Sequence, residues 1–180
     1  ILKHILFIFC CAFTTLSFSQ KKDKLQVVFA GKGFTEKGSE SGTTTFLRDN
    51  QQQVHFVHNG VNFYCDKAVL YKKENFVEAF SNVRMVQGDT ITMTAKYIEY
   101  SGITELAFAR GNVVLTEPSS VLTTEKLHFD RTKQQAYYDV SGKVVRDSSG
   151  TITSRIGRYY MPTKKYQFID SVVLVNPEYT

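Results

Sequence analysis

The 180-residue chain has no tryptophan, only three prolines and only three cysteines. So little proline, with 42% hydrophobic residues and 13% aromatics supplied by Tyr and Phe, excludes a disordered or proline-rich linker class and leans toward β structure. No useful window carries the 3.6-residue period of an amphipathic helix, which excludes a helical bundle. Despite a formal charge of +5, no run of Lys or Arg marks a nucleic-acid arm, and the scattered cations suit an anionic partner without choosing one. No Ser-x-x-Lys, Gly-x-Ser-x-Gly or His-Glu-x-x-His phrase occurs. The glycines of "GKGF" (31–34) are not followed by Gly-Lys-Ser/Thr, so they form no phosphate loop.

Catalytic constellations are missing too. His55 and His58 stand three apart, which on a strand points them to opposite faces and excludes a chelating pair. His128 falls on the face opposite Leu127 and Phe129 and reads as solvated; Asp89, Asp130, Asp139 and Asp147 read as turn formers. The expectation is a protein that is not an enzyme and needs no cofactor or metal.

What is present begins with "ILKHILFIFCCAFTTLSFSQ". A basic start at Lys3, an apolar stretch from Ile5 to Phe18 and small residues Ser17 and Ser19 predict a secretory signal peptide over 1–19. Its removal takes Cys10 and Cys11 and leaves Cys65 alone in "NFYCDKA". The exported protein then has no internal disulfide, and Cys65 reads as a half-buried structural thiol. Residues 20–45, rich in Lys, Gly, Ser and Thr, read as a lead-in arm or first edge strand, and 177–180 as a tail.

From about Val54 to 176 the chain repeats. Strands ending in an aromatic ("KAVLYK", "KYIEYS", "KLHFDR", "GRYYMP") place Tyr71, Tyr100, Phe129 and Tyr159 at intervals of 29, 29 and 30 residues. A polar turn, a second apolar segment and a valine phrase complete each unit: "FSNVRMVQ", "ARGNVVLTE", "VSGKVVRD", "IDSVVLVN". Alternation with period two sets Ile98 with Tyr100, Val69 with Tyr71 and Leu127 with Phe129 on the apolar face. It aligns Val83 and Met85 with Val113 and Leu115, and with Val172 and Leu174. The third unit breaks the pattern, because Val144 is followed at the same phase by Arg146. Such units bury their apolar face only by stacking, which predicts an all-β fold of stacked repeats of about 30 residues, a jelly roll folded over a trough or a solenoid. The interior is either a filled core or a groove.

The stretches "TAKYIEYSGITELAFARGNVVLTE" and "TTEKLHFDRTKQQAYYDVSGKVVRDSSGTITSRIGRYYMPTKKYQFIDSVVLV" resemble the OstA-like, or LptA-type, family of lipopolysaccharide-transport proteins. Phe129-Asp130 and Ala109-Arg110-Gly111-Asn112-Val113 match its pattern best. Ser81 and Asp170 stand where Gly is usual, which predicts a weaker bend there. The units from Asn62 to Met93 look most like OstA-like proteins of Bacteroidetes-type envelopes, some longer than this chain, so a fragment or short form is expected.

The resemblance implies a V-shaped open β trough over 46–176, periplasmic and associated with the outer-membrane transport machinery. It would shield the acyl chains of lipopolysaccharide (lipid A) in an apolar groove. The groove lining would comprise Val69, Tyr71, Val83, Met85, Ile98, Tyr100, Val113, Leu115, Leu127, Phe129, Val144, Tyr159, Val172 and Leu174. Open strand edges would join other jelly-roll transport proteins, or a copy of the chain, end to end. The alternatives are an envelope scaffold with a closed core that acts through its edges, and a jelly-roll enzyme or sugar-binding domain.

Overall fold

The computed structural model describes residues 23–35, 42–146 and 150–176. The expected signal segment and tail lie outside the described residues. The chain opens with β1 (Gln26–Phe29), β2 (Lys32–Thr35), β3 (Thr43–Leu47), β4 (Val54–His58), β5 (Val61–Cys65) and β6 (Lys67–Tyr71). Four long strands follow: β7 (Phe76–Gln87), β8 (Ile91–Ser101), β9 (Leu106–Glu117) and β10 (Ser120–Asp130). Then come β11 (Gln135–Tyr138), β12 (Gly142–Arg146), β13 (Gly150–Ser154), β14 (Ile156–Tyr160), β15 (Lys165–Ile169) and β16 (Val173–Val175). A single 3-10 turn, Met161–Thr163, separates β14 from β15.

All strands join one antiparallel sheet, and that sheet is folded in two. The first wall runs β2-β3-β6, the halves of β7–β10 that lie near Phe80, Tyr97, Arg110 and Lys126, then β11-β14-β15. The second runs β1-β4-β5, the other halves of β7–β10, then β12-β13-β16. The long strands belong to both walls and bend between them. The outermost strands of the described residues do not pair with one another, so the sheet closes into no barrel. This is the all-β trough expected from the repeat, and the solenoid is set aside.

The bend is made by left-handed backbone. Ser81 and Asn82 have φ of 61° and 50°, Gly111 and Asn112 of 83° and 52°, Ser141 of 73°, and Asp170 and Ser171 of 65° and 52°. The first two pairs each insert one residue into one strand, β7 or β9, and the ladders slip there, between Phe80 and Val83 and between Thr124 and Lys126. The bends expected to weaken at Ser81 and Asp170 are therefore fully formed, which corrects that expectation. The compensation lies in hydrogen bonds: Asp66 N–H donates to the Ser81 carbonyl (3.0 Å) and Arg155 N–H to that of Asp170 (2.9 Å). Asn82 Nδ2 donates to Asp66 Oδ2 (2.6 Å), and the Arg155 guanidinium pairs with the Asp170 carboxylate, which it holds below the usual carboxylate range.

The corner also sets which residues face inward. In the last three repeats Ile98 and Tyr100, Leu127 and Phe129, and Gly157 and Tyr159 are buried. The first repeat buries Ala68 and Leu70 and leaves Val69 and Tyr71 half-buried on the outer face. The expected inward facing of Val69 and Tyr71 is thus wrong by one residue. Aligning Tyr71 with Tyr100 slips the register, and a one-residue slip exchanges the two faces of a strand.

Gly111 carries the bend's steric requirement, because a Cβ there would meet Lys96 Cβ at 2.9 Å while φ is +83°. Ser81 holds the equivalent position without glycine. Gly111→Ala is expected to cost about 1–3 kcal/mol, whereas Ser81→Gly, relieved of left-handed strain, should be neutral or stabilise by up to about 1 kcal/mol. Urea denaturation of the two variants checks the opposite signs.

Candidate functional site

The space between the walls is the interior of the protein. Of the residues expected to line it, ten are buried there: Val83, Met85, Ile98, Tyr100, Val113, Leu115, Leu127, Phe129, Val144 and Tyr159. Leu174 lies in line with Ile152 and Val144 but is 59% exposed on the last strand, and Val172 beside it is 50% exposed. Residues that pattern reading missed fill the gaps, chiefly Phe56, Phe63, Met93 and Leu122 from the second wall and Leu70, Val77 and Tyr138 from the first. The alternation in "VHFVH" and "VNFYC" carried the signal for Phe56 and Phe63, but both strands precede the first recognised unit.

The walls touch. Phe63 of β5 packs against Tyr100 of β8 with ring centroids 4.8 Å apart, and Phe46 of β3 meets Phe56 of β4 edge-on at 5.8 Å. Tyr138 crosses from β11 into a hole made by Gly142 and Gly157, where an added Cβ would come within 2.5 Å of its ring. Its hydroxyl bonds Ser154 Oγ at 2.7 Å. Interior side chains such as Tyr100, Met85, Met93 and Leu127 have no exposed surface, so the interior is a filled core. Cys65 belongs to it, fully buried rather than half-buried, and burial pushes its thiol up to about 12.

Opposite the corner, the free tips of the walls are joined by polar side chains. Arg131, in the turn after β10, has an 11% exposed side chain and four acceptors: Gln87 Oε1 (2.9 Å), the Asn59 carbonyl (3.0 Å), Glu105 Oε2 (3.0 Å) and Tyr100 OH (3.3 Å). Asn59 and Gln87 sit on the second wall, and Arg131, Glu105 and Tyr100 on the first. Asn59 Nδ2 also donates to Glu105 Oε1 (2.7 Å), and Gln87 Nε2 to Gln134 Oε1 (3.1 Å). Farther along, Tyr159 donates to the Glu117 carboxylate and Ser120 Oγ shares a 3.0 Å bond with Tyr166 OH. Burial first, then the Glu117 carboxylate, raises the Tyr159 phenol above its usual range.

The seam extends to the N-terminal side. His58 is buried and its Nε2 lies 2.9 Å from the Asp23 carbonyl, which only accepts, so Nε2 donates to it, and Nδ1 shares a 2.8 Å bond with Tyr100 OH. A hydrogen-bonded chain results, linking Arg131 through Tyr100 and His58 to Asp23. Asn75 fastens the same segment, accepting from Leu25 N–H at 2.8 Å. His55 points to the other face and stacks on Tyr64 at 4.4 Å. His128, expected to be solvated, is half-buried between Phe108 and Tyr137, with centroids 4.8 and 4.5 Å away.

Arg146 takes a different place from the one expected. Gly142, paired with Thr124, holds the rung of Val113, and Val144, paired with Leu122, holds that of Leu115. Arg146 pairs with Ser120 as Glu117 does, so it displaces no inner aliphatic and lies at the tips, 6.0 Å from the Tyr166 ring.

The sequence profile of the OstA-like protein family matches residues 35–180. The chain belongs to the OstA-like family. A solved structure of similar fold is that of LptH from Pseudomonas aeruginosa, described as the LptA-homologous periplasmic component of the lipopolysaccharide transport device. It is 13% identical, and the match covers 62% of this OstA-like chain and 79% of LptH with a TM-score of 0.52, a likeness of fold. No curated protein sequence matches. Among the described residues no helix is long and apolar enough to cross a membrane, and no cluster of His, Cys, Asp and Glu is placed to hold a metal ion.

Cys65 offers a direct reading of whether the walls stay together. In a Cys10→Ser, Cys11→Ser background, Ellman's reagent at pH 8 should leave native protein unlabelled and label one thiol per chain in urea. The folded thiol titrates far above the ordinary value near 8.5. Its contribution to stability is therefore intact below about 8.5 and declines as pH rises toward about 12. Urea midpoints at pH 8 and pH 10 check the direction.

Proposed function

We propose that the chain is a periplasmic transport module for lipopolysaccharide, taking the acyl chains of lipid A between its two walls while the charged headgroup stays in water. The observation that supports this most is the form of the interior. Two apolar walls share continuous strands on one side, and on the other, hydrogen bonds of side chains bridge them, from Arg131 to Gln87 and Asn59, from Asn59 to Glu105 and from Gln87 to Gln134. An interior of that kind can part without breaking a β ladder, and acyl chains then gain roughly 25 cal/mol per Å² of apolar surface withdrawn from water. The buried set Val83, Met85, Ile98, Tyr100, Val113, Leu115, Leu127, Phe129, Val144 and Tyr159 would form the lining.

The uncovered edges at the two ends, β1 and β2 at one and β15 and β16 at the other, suit strand addition by another module of this fold or by a copy of the chain, extending a path toward the outer membrane. Val173, Leu174 and Val175 on the last strand are more than half exposed, as an edge awaiting a neighbour would be. The reading contains no catalytic step. Family membership and the fold of LptH agree with it, as does the expected signal segment.

The filled core favours a second reading, an envelope scaffold that acts through its edges alone. A photo-crosslinking amino acid at Ile98 or Leu115 separates the two in cells. Adducts with lipopolysaccharide are the expected result. Crosslinks to protein only, from both positions, would overturn the carrier reading in favour of the scaffold.

A further inference from the structure

We propose that the seam along the wall tips is the entry gate for the amphiphile, and that it opens by exchange at Arg131, whose Nε and Nη2 leave Gln87 and the Asn59 carbonyl on the opposite wall for the anionic group of the entering lipid. This rests on the carrier reading above.

The interior side chains have essentially no exposed surface, so chains enter only if the walls separate. Separation at the corner would tear the long strands β7–β10, which run through it. The tips are the weaker side, because neutral side-chain hydrogen bonds contribute only about 0.5–1.5 kcal/mol each. Gln87 to Gln134 and Ser120 to Tyr166 are contacts of this grade, and Asn59 to the Glu105 carboxylate contributes about 1.5–3 kcal/mol.

Arg131 is different. It is the most buried cation among the ion pairs of the described residues, and parting the walls leaves it Glu105 on its own wall but strips Nε and Nη2 of Gln87 and the Asn59 carbonyl, a loss that is disfavoured for a shielded guanidinium unless another acceptor replaces them. A phosphate is such a replacement, since the planar fork of arginine matches phosphate and carboxylate oxygens alike. Position favours the exchange as well. Arg131 Nη1 also touches Tyr100 OH, and the Tyr100 ring packs against Phe63 in the interior. A phosphate held at Arg131 therefore places attached acyl chains at the mouth of the apolar space, while Glu105 stays paired with Nη1 on the same wall. The gate selects for a lipid that carries its anion next to its chains.

The test uses the full chain with fluorescent lipid A and the same lipid stripped of its phosphates, in stopped-flow uptake, with hydrogen exchange at residues 57–61 and 103–106. Glu105→Gln weakens the Asn59 bond across the seam and removes a carboxylate that repels the incoming phosphate, and should speed uptake of the phosphorylated lipid and lower protection at both tips. Arg131→Gln should also lower protection, yet weaken the phosphorylated lipid roughly tenfold, the equivalent of about 1.4 kcal/mol, and leave the dephosphorylated one unchanged. Arg131→Lys, which keeps the charge and loses the fork, should fall between and serves if Arg131→Gln does not fold. If wild type and variants bind both lipids alike, the gate is wrong and the carrier stands. If no form binds either lipid, the carrier reading falls and the gate with it.

Discussion

Everything in this fold depends on a backbone conformation that L-amino acids avoid. At each repeat, one or two residues take positive φ where the chain passes from one wall to the other, inside a long strand at Ser81 and Asn82 and at Gly111 and Asn112, and between two short strands at Ser141 and at Asp170 and Ser171. Because each kink falls about one repeat from the last, the kinks line up into a single crease across the sheet. The crease converts a flat ribbon, one face apolar, into two walls that must bury that face against each other. Non-glycine residues pay for left-handed backbone with strain, and the crease offsets it through Asp66, Asn82, Arg155 and Asp170, whose hydrogen bonds and ion pair lie along its length.

Once the crease exists, the walls have to fit. The first wall supplies small residues at many inward positions, Ala68, Ala79, Ala107, Ala109 and Ala136, while the second answers with Phe56, Phe63, Met85, Met93 and Leu115. Small against large lets two pleated surfaces approach without voids. Tyr138 shows the same logic locally, since its ring occupies the space that side chains at 142 and 157 would need. The outer face is held by different means, through cross-strand stacks such as Arg110 over Tyr97 and Phe108 on His128. The chain thus has a dry face and a face of rings capped by cations.

The period of the repeat was readable, and with it the β class, because alternation and turn residues act locally. What pattern could not supply was phase. In the first repeat the aromatic Tyr71 invites alignment with Tyr100, but Ala68 and Leu70 are the inward pair, and a small Ala at a rung is invisible to a reading that looks for large apolar residues. The third valine phrase misled in the same way, with Gly142 standing in for a valine and pushing Arg146 one rung outward to the tips. The seam was illegible for another reason. Arg131, Gln87, Asn59 and Glu105 are ordinary turn-side polar residues in sequence, and only the folding of one wall onto the other brings together groups 44 to 72 positions apart.

The two sides of the interior differ in kind, and that difference bears most on what the chain can do. The crease side is closed by continuous strands and backbone hydrogen bonds, which open only with the unfolding of the sheet. The tip side is closed by side chains whose individual contributions are small and whose donors and acceptors water can replace once the walls part. A structure built to be rigid would spread apolar contacts to its edges, as sandwich domains do. Here the outermost inward rungs of the second wall carry Gln87, Glu117, Ser120 and Arg146, and the turns opposite carry Glu105, Arg131 and Gln134. A polar rim around an apolar interior presents hydrogen-bonding groups to water, and in the proposed opening those groups would exchange one partner for another while the core exposed its surface only to the entering chains.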